Sequence, residues 1–241
     1  IERLRSSGKP FCVITNDASR LPSSCARKYR RDGIDIDDEQ VITSASLLVP
    51  YLRSEQLDAC AVAVLGPDES REYIRQSNAR LVDPRRDDFD ALVICDESGY
   101  DFVATIDEVL TRLLRRIDRG QPPALLLPNP DLIYQRSASE YGITSGSVAA
   151  MLEAILASRY PDAGLEFARL GKPHSRMFER GIELCGTDRV CVLGDQLETD
   201  IRGANNAGLD SVLVATGLDH GALDWEKHEV TPDFVLPSLE D

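Results

Sequence analysis

The chain has 241 residues and a formal net charge of −14. This length is enough for one large domain or two modest ones with a hydrophobic core, and the acidic balance argues against nucleic acid as a partner. Apolar runs stay well short of the roughly 20 residues that cross a bilayer, and no secretory signal is visible, so we expect no membrane partner.

Short apolar runs of strand length alternate with segments of helical periodicity. The predicted strands lie, in chain order, at residues 11–14, 61–65, 91–95, 124–127, 190–193 and 211–214. The predicted helices lie at residues 44–53, 106–118, 148–159 and 175–185. Several strands are apolar throughout, as strands covered on both faces are. The alternation of strands with helices predicts an α/β protein with a parallel sheet.

The six cysteines are scattered along the chain, and no pair has CxxC spacing. This pattern is typical of buried free thiols and not of a disulfide framework. Free thiols persist in a reducing compartment, so the cysteines predict a cytoplasmic protein.

Polar residues follow the first predicted strand. Thr15 and Asn16 stand at its C-terminal end, where a hydroxyl, an amide and the backbone N–H groups of the next turn can donate hydrogen bonds to phosphate oxygens. The same residue types also favour a helix N-cap. Taken alone, the segment is better explained as a cap.

A second polar loop follows the predicted strand at residues 124–127. Its sequence, Pro-Asn-Pro-Asp, is stiffened by two prolines and presents Asn129 and Asp131 as polar tips. Such a loop can contact a substrate or simply turn the chain. Taken alone, the turn is the favoured interpretation.

Lys172 stands between Gly171 and Pro173, just before a predicted helix. A lysine fixed there can neutralise a phosphoryl group or a carboxylate as a point charge, although most lysines are merely solvated. We expect Lys172→Ala to change the melting temperature by only a few degrees. The neighbouring His174 is better explained as a surface or capping residue than as an acid or base.

Two carboxylates follow the predicted strand at residues 190–193. Gly194 ends this strand, and Asp195 and Asp200 come next on a short loop. Carboxyl ends of parallel strands are where α/β sheets bind ligands, and carboxylate oxygens suit Mg²⁺. The alternative is a solvated loop with Asp200 near a helix N-terminus. The metal interpretation is the favoured one.

These motifs occur in a characteristic order. Thr-Asn at a strand end, then Gly-Lys-Pro, then Gly-Asp-x-x-x-Thr-Asp resembles the haloacid dehalogenase superfamily of phosphohydrolases. The long insert between the first two motifs, with Asn-Pro-Asp inside it, is similar to class IIA, which includes para-nitrophenyl-phosphate, nucleotide, phosphoglycolate and pyridoxal-phosphate phosphatases. The resemblance implies a Rossmann-like parallel-sheet core, at residues 1–68 and 166–241, and an inserted α/β cap at residues 69–165.

The resemblance also implies a role for each motif. Thr15 and Asn16 would hold the transferring phosphoryl group, and Lys172 would offset its charge. Asp195 would ligate Mg²⁺ while Asp200 supports the metal shell. The implied catalytic set is therefore Lys172, Asp195 and Asp200, and the implied cofactor is Mg²⁺.

Asn129 and Asp131 would lie on a cap loop that faces the substrate. The resemblance implies a small phosphorylated metabolite as that substrate, and it leaves a homodimer open as an assembly. Two positions depart from the family pattern, which often has Asn where this chain has Asp17 and Thr where it has Pro128. Both departures concern substrate contacts more than reaction type.

The family's nucleophile is the first Asp of an Asp-x-Asp motif upstream of the Thr-Asn strand. Asp35-Ile-Asp37 has this spelling but comes too late, where helix capping explains it better, and Asp88-Phe-Asp90 precedes its strand. We therefore expect about 20–35 upstream residues with a strand that ends in Asp-x-Asp. That strand would lie between those ending at Thr15 and Asp195.

Two other functions stay open. One is a non-catalytic regulatory or phospho-ligand-binding member of the same fold, which the absent Asp-x-Asp motif favours and the intact Lys172 and Asp195 motifs oppose. The other is an unrelated nucleotide-binding α/β protein. The lack of a GxGxxG turn and of a GxxxxGK[ST] loop argues against it.

Overall fold

Strands and helices alternate along the chain in the computed structural model, which describes residues 1–137, 139–215 and 229–239. The strands are β1 Val13–Thr15, β2 Val41–Thr43, β3 Ala61–Leu65, β4 Arg80–Val82, β5 Ala91–Ile94, β6 Ala124–Leu127, β7 Ile133–Ser137, β8 Glu140–Ile143, β9 Ala168–Arg169, β10 Cys191–Gly194, β11 Asp210–Val214 and β12 Phe234–Leu236. The helices are α1 Glu2–Ser6, α2 Pro22–Arg31, α3 Leu48–Ser54, α4 Asp68–Arg75, α5 Phe102–Asp118, α6 Ser145–Arg159, α7 Ser175–Cys185 and α8 Arg202–Asn206. Two 3₁₀ turns, Asp38–Gln40 and Ser44–Leu47, and a π-helical turn, Leu197–Ile201, complete the set.

A five-stranded parallel sheet has the strand order β4-β3-β5-β6-β9. Its central strands β3 and β5 are buried over their whole length. They are uniformly apolar because both sheet faces are covered, as the sequence predicts. Side chains of α5 and α6 pack on one face, in a cluster that includes Leu65, Leu92, Val109 and Leu152.

The other face of this sheet belongs to a second apolar cluster, which also contains residues of β2, α7 and α8. Val62 and Val93 lie in it together with Ile42, Phe178 and Ala204. The cluster joins segments far apart in sequence, so this face of the five-stranded sheet shares a core with residues of β2, α7 and α8.

The remaining strands form two smaller parallel sheets. β1 pairs with β2, and β10, β11 and β12 pair in that order. Within the described residues, β1 and β10 each have a partner on one side only. Leu193 of β10 is 53% exposed.

All six cysteines are free thiols. Cys25 and Cys95 are buried as expected, whereas Cys191 is exposed. The expectation of burial is wrong for Cys191 because β10 lies at a sheet edge. None of the helices in the described part of the chain combines the length and apolar character needed to cross a bilayer.

The division into a core and a cap at residues 69 and 165 stays a prediction. The five-stranded sheet includes β3 and β9, which lie just outside that segment, so the sheet itself extends from Ala61 to Arg169. The antiparallel hairpin of β7 and β8 projects from the same part of the chain.

Candidate active site

Four loops that follow parallel strands meet at one place. They are the end of β1 at Asn16, the Asn-Pro-Asp loop after β6, the Gly-Lys-Pro segment after β9 and the loop after β10. Hydrogen bonds join Asn16 to Asp131 and to Lys172, and Lys172 to Asp200. The motifs thus converge on one site at the C-terminal ends of parallel strands, where α/β proteins bind ligands.

A buried ion pair lies at the centre of this site. Lys172 Nζ is 2.5 Å from Asp200 Oδ1, and the two side chains are 13% and 7% exposed. Asp200 Oδ2 accepts hydrogen bonds from the backbone N–H groups of Asp195 and Gln196, both at 3.2 Å. Because both carboxylate oxygens have partners, the charge of Asp200 is compensated despite its burial.

Asp200 stands in the π-helical turn Leu197–Ile201 and holds the loop that carries Asp195. Gly194 makes this arrangement possible. A Cβ atom on Gly194 would lie 2.1 Å from the Asp200 Cβ and 2.4 Å from its Cγ, so no other residue fits there without displacing the carboxylate. The glycine is needed for the close approach of Asp200.

The carboxylates of the site decide whether it can hold a divalent metal ion. Asp195 is exposed on its loop, and no cluster of three His, Cys, Asp or Glu side chains that could hold a metal ion occurs in the residues that the structure describes. Mg²⁺ usually binds through one or two carboxylates, with waters and substrate phosphate completing its shell. The carboxylate of Asp195, on a loop fixed by Asp200, fits that sparse donor set.

Thr15 is the last residue of β1, and Asn16 follows it. Asn16 lies next to the hydrogen-bonded group of Asp131, Lys172 and Asp200. Asn16 is 6% exposed, and its side chain contacts both Asp131 and the backbone of Lys172. The Thr15 hydroxyl accepts a hydrogen bond from the Asp17 backbone at 3.2 Å. This bond closes a local turn and caps no helix, because α2 begins at Pro22 and its N-cap is Leu21. The helix-cap interpretation of this segment is therefore wrong, and the end of β1 lies at the site.

The Asn-Pro-Asp loop is a turn, and it also reaches the site. Asn129 Oδ1 accepts a hydrogen bond from the Asp131 N–H at 3.0 Å, which closes a local turn. Asp131 Oδ1 accepts from Asn16 Nδ2 at 2.9 Å. Burial raises the pKa of Asp131, although the bond from Asn16 and the charge of Lys172 oppose that rise.

His174 is the N-cap residue of α7 and is exposed, as expected for a surface or capping residue. Partial burial and the nearby Arg169 lower its pKa, so the ring is neutral near pH 7. It holds no charge with which to bind phosphate at that pH.

Neither Asp-x-Asp sequence of the chain lies at the C-terminal end of a strand. Asp37 is the N-cap of a 3₁₀ turn and forms a capping box with Gln40. Asp90 precedes β5, and its Oδ2 accepts a hydrogen bond from the Ala61 N–H at 2.9 Å. Both sequences have structural roles.

Sequence reasoning missed the contacts that α4 makes beside the site. Ser70 Oγ donates to the Ala18 carbonyl at 2.8 Å, and the Tyr73 hydroxyl donates to the Arg20 carbonyl at 2.8 Å. These bonds fix the loop that follows Asn16. Pro67, followed by two acidic residues, is a helix-start signal that could have located α4.

Models of two related hydrolase families match the two ends of the chain. The model described as haloacid dehalogenase-like hydrolase matches residues 1–80, and the one described as HAD-hydrolase-like, where HAD stands for haloacid dehalogenase, matches residues 169–241. The chain belongs to the haloacid dehalogenase-like hydrolases. The matched segments contain Thr15, Asn16, Lys172, Asp195 and Asp200.

The relatives in this family are named as phosphatases. A dihydroxyacetone phosphatase of Corynebacterium glutamicum (strain R) is 25% identical over 245 residues, covering 100% of this chain and 81% of the relative. The 5′-nucleotidase YutF of Bacillus subtilis (strain 168) is 27% identical over 244 residues, covering 99% and 86%. A possible sugar phosphatase of the HAD superfamily from Cytophaga hutchinsonii superposes with a TM-score of 0.84 at 27% identity, covering 98% of this chain and 84% of that one.

These similarities confirm the resemblance to the class IIA phosphatases of the family. They confirm the fold class as well, an α/β protein with a Rossmann-like parallel-sheet core and an inserted cap. By family the protein is a phosphoric monoester hydrolase.

Proposed function

We propose that this protein is a Mg²⁺-dependent phosphatase that hydrolyses small phosphate monoesters through an aspartyl-phosphate intermediate. The observation that carries the proposal is the buried Lys172–Asp200 ion pair, which is tied on one side to the Asp195 loop and on the other to Asn16. It places a fixed cation beside a carboxylate loop at the ends of parallel strands. A small phosphorylated metabolite is the substrate class that the names of the relatives support.

Catalysis of phosphoryl transfer rests on positioning and on charge neutralisation. The Lys172 ammonium offsets negative charge on the phosphoryl oxygens as it develops. The Thr15 hydroxyl and the backbone N–H groups after β1 donate hydrogen bonds to the same oxygens. Asp195 would hold Mg²⁺, which when bound supplies further neutralisation of the phosphoryl charge.

In this proposal the cap segment at residues 69–165, called the inserted unit below, covers the site and reduces the access of bulk water. Asn129 and Asp131 approach the site from this unit, because the loop that carries them is also hydrogen-bonded to the start of α6 through Ser145. We propose that they face the leaving group of the substrate. The cytoplasm is the compartment that we propose, because all six thiols are free.

The phosphoryl acceptor in the proposal is an aspartate on a further strand that pairs with β1 and β10. The one-sided pairing of β1 and β10 in the described residues, and the 53% exposure of Leu193, support such a strand. An added strand would satisfy the unpaired backbone groups of both edges. It would also bring its C-terminal end next to Thr15 and Asp195.

The full-length protein with Mg²⁺ is tested on a panel of phosphate monoesters, including para-nitrophenyl phosphate. We expect hydrolysis that EDTA abolishes, and a loss of kcat/KM of about 10²-fold or more in Lys172→Ala. Calorimetric titration should show Mg²⁺ binding at least tenfold weaker in Asp195→Asn, a loss of about 1.4 kcal/mol. Equal Mg²⁺ affinity in both proteins would remove Asp195 from the metal site.

The second candidate is a non-catalytic protein that binds a phosphorylated ligand with the same residues. It is favoured by the structural roles of Asp37 and Asp90, which leave no Asp-x-Asp at a strand end within the described residues. The same experiment separates the two functions. Mg²⁺-dependent phosphate binding by the full-length protein, without hydrolysis of any ester, would establish the second function and exclude the first.

A further inference from the structure

The carboxamide of Asn16 already has protein partners for both of its donors and for its oxygen. Nδ2 donates to Asp131 Oδ1 at 2.9 Å and to the Lys172 carbonyl oxygen at 3.2 Å. Oδ1 accepts from the Lys172 backbone N–H at 2.7 Å. A carboxamide has two N–H donors, so neither is left for a phosphate oxygen in this arrangement.

Two of these three bonds go to one residue, Lys172. The carboxamide pairs with the N–H and the C=O of Lys172 in the way that one peptide group pairs with another in a strand ladder. Such a pair fixes both the position and the orientation of the backbone. The Lys172 side chain then extends from this fixed point to Asp200, 2.5 Å from Nζ to Oδ1.

Gly171 leaves the room that this pairing requires. A Cβ atom on Gly171 would lie 2.5 Å from Asn16 Oδ1 and 2.4 Å from the Pro128 carbonyl oxygen. Asn16 is therefore packed directly against the Gly-Lys-Pro backbone, with no space between them. The close approach of the two segments depends on a residue without a side chain.

The third bond of the carboxamide joins the site to the inserted unit. The backbone carbonyl of Asp131 accepts hydrogen bonds from the Thr144 hydroxyl and from the Gly146 N–H at the start of α6. The Asp131 carboxylate in turn accepts from Asn16. Asn16 thus links the end of β1, the Lys172 backbone and the inserted unit.

We infer that Asn16 is a positioning residue that acts on phosphate through Lys172, and that its side chain is not a phosphate ligand. This differs from the role that the sequence resemblance implies for Asn16. It rests on the proposed function in one respect, because Lys172 must bind the phosphoryl group. A fixed Lys172 backbone lowers the entropy that the lysine loses when phosphate binds.

A double-mutant cycle tests the inference in the full-length protein with Mg²⁺. The affinity for inorganic phosphate is measured calorimetrically for the wild type, Asn16→Ala, Lys172→Met and the double variant. We expect Asn16→Ala to weaken phosphate binding about tenfold when Lys172 is present and less than twofold in the Lys172→Met background. Equal weakening in both backgrounds would show that Asn16 does not act through Lys172. Coupling alone does not exclude direct binding, because groups in contact are not additive, and the NMR measurement below separates the two.

The outcomes separate this inference from the proposed function. Equal effects of Asn16→Ala in the two backgrounds overturn the positioning role and leave the phosphatase proposal standing. Unchanged phosphate affinity in Lys172→Met overturns both, because Lys172 would then not contact phosphate. Thermal melting of each variant checks that it is folded, and Asn16→Ser replaces Asn16→Ala should the latter not fold.

A measurement on the unaltered protein makes the test independent of variant stability. The Asn16 side-chain N–H resonances are followed by NMR during titration with inorganic phosphate. We expect no scalar coupling between these N–H groups and phosphorus, because both hydrogens remain bonded to Asp131 and Lys172. An observed coupling would identify Asn16 as a direct ligand and overturn the inference.

Discussion

Lys172 has two roles at the scale of the single residue. The sequence predicts a group that acts on phosphate and contributes little to stability. The structure places its ammonium beside the buried carboxylate of Asp200, with the two side chains 13% and 7% exposed. Removing one partner of a buried pair leaves the other charge uncompensated. The expected change of only a few degrees in Lys172→Ala therefore has to be revised upwards.

We expect Lys172→Met to lower the free energy of unfolding by about 3–5 kcal/mol, because the charge of Asp200 loses its counterion while the side-chain volume is kept. The double variant Lys172→Met/Asp200→Asn should recover part of this loss, since no buried charge remains. Urea unfolding of the three proteins measures both values. Lys28→Met is the matched control, because Lys28 is exposed and its replacement should change stability by less than about 0.5 kcal/mol. A similar small change in Lys172→Met would contradict the ion-pair argument.

Asp131 predicts a pH dependence with a definite sign. Burial raises its pKa above the ordinary value of 3.8 in the folded protein. The folded state therefore favours the protonated carboxyl, and the stability that this confers is fully present below pH 3.8 and is lost as the pH rises through the raised pKa. Asp131→Asn cannot titrate, yet its amide oxygen can still accept the hydrogen bond from Asn16.

The stability of Asp131→Asn relative to the wild type should therefore increase as the pH rises from about 4 and should then level off. Urea unfolding of both proteins at several pH values measures this difference. Asp118→Asn is the control with opposite sign, because the Tyr160 hydroxyl and Arg159 lower the pKa of Asp118. A difference between Asp131→Asn and wild type that does not vary with pH would show that Asp131 has no raised pKa.

At the scale of the element, the turn from β10 into the π-helical segment depends on Gly194. A Cβ atom there would overlap Asp200 at 2.1 Å, and Asp200 is held by the backbone of Asp195 and Gln196. Gly194→Ala should lower the free energy of unfolding by about 1–3 kcal/mol, as overpacking does, and should displace Asp200 from Lys172. Urea unfolding measures the change.

Gly181 in α7 provides the matched control for Gly194. A Cβ atom at this position meets its nearest neighbour, Cys12 Sγ, at 3.4 Å, an ordinary contact. Gly181→Ala should therefore be neutral or stabilising by up to about 1 kcal/mol, because alanine favours the helix. Equal destabilisation of the two variants would show that any added methyl group is harmful here and that Gly194 has no special role.

The elements that the sequence predicts well are those with a strong and uniform apolar pattern. The strands at 61–65 and 124–127 and the helix at 175–185 coincide with β3, β6 and α7. The hairpin of β7 and β8 is exposed along nearly all of its length, so its residues show no alternation to detect. Helix α4 begins with polar residues, and its buried residues are Ser70, Tyr73 and Ile74, which is a weak periodic signal.

The candidate site likewise has features that could be predicted from the sequence and features that could not. The family resemblance predicts that Asn16, Asp131, Lys172 and Asp200 come together. A shared sheet edge does not explain the grouping, because β1, β6 and β10 belong to three different sheets. The choice of partners within the site could not be predicted. Asn16 bonds to a residue 156 positions away and Lys172 to one 28 positions away, and such choices depend on packing that no local pattern records.

At the scale of the whole molecule, α4 connects the five-stranded sheet with the loop beside the site. Tyr73 is 5% exposed, and its hydroxyl donates to the Arg20 carbonyl at 2.8 Å and lies 2.6 Å from the Thr43 hydroxyl. Ser70 and Glu69 make further bonds to the residues that follow Asn16. Because the Ser70 and Tyr73 side chains are buried and one apolar cluster joins this sheet face to β2, α7 and α8, the described parts of the chain should unfold together.

We expect thermal unfolding of the full-length protein to be a single transition, because one apolar cluster joins the five-stranded sheet to β2, α7 and α8, and we expect Tyr73→Phe to shift that transition to lower temperature. Loss of the hydroxyl leaves the Arg20 carbonyl and the buried Thr43 hydroxyl without this partner, at a cost of about 1–3 kcal/mol. For a protein of this size each kcal/mol corresponds to about 2–4 °C. Tyr141→Phe, at a residue that is 56% exposed, is the control and should melt with the wild type. Calorimetry of the three proteins measures these melting temperatures. Equal melting temperatures of the two variants would show that α4 does not couple the five-stranded sheet to the loop beside the site. Two separated transitions in the wild type would show the same.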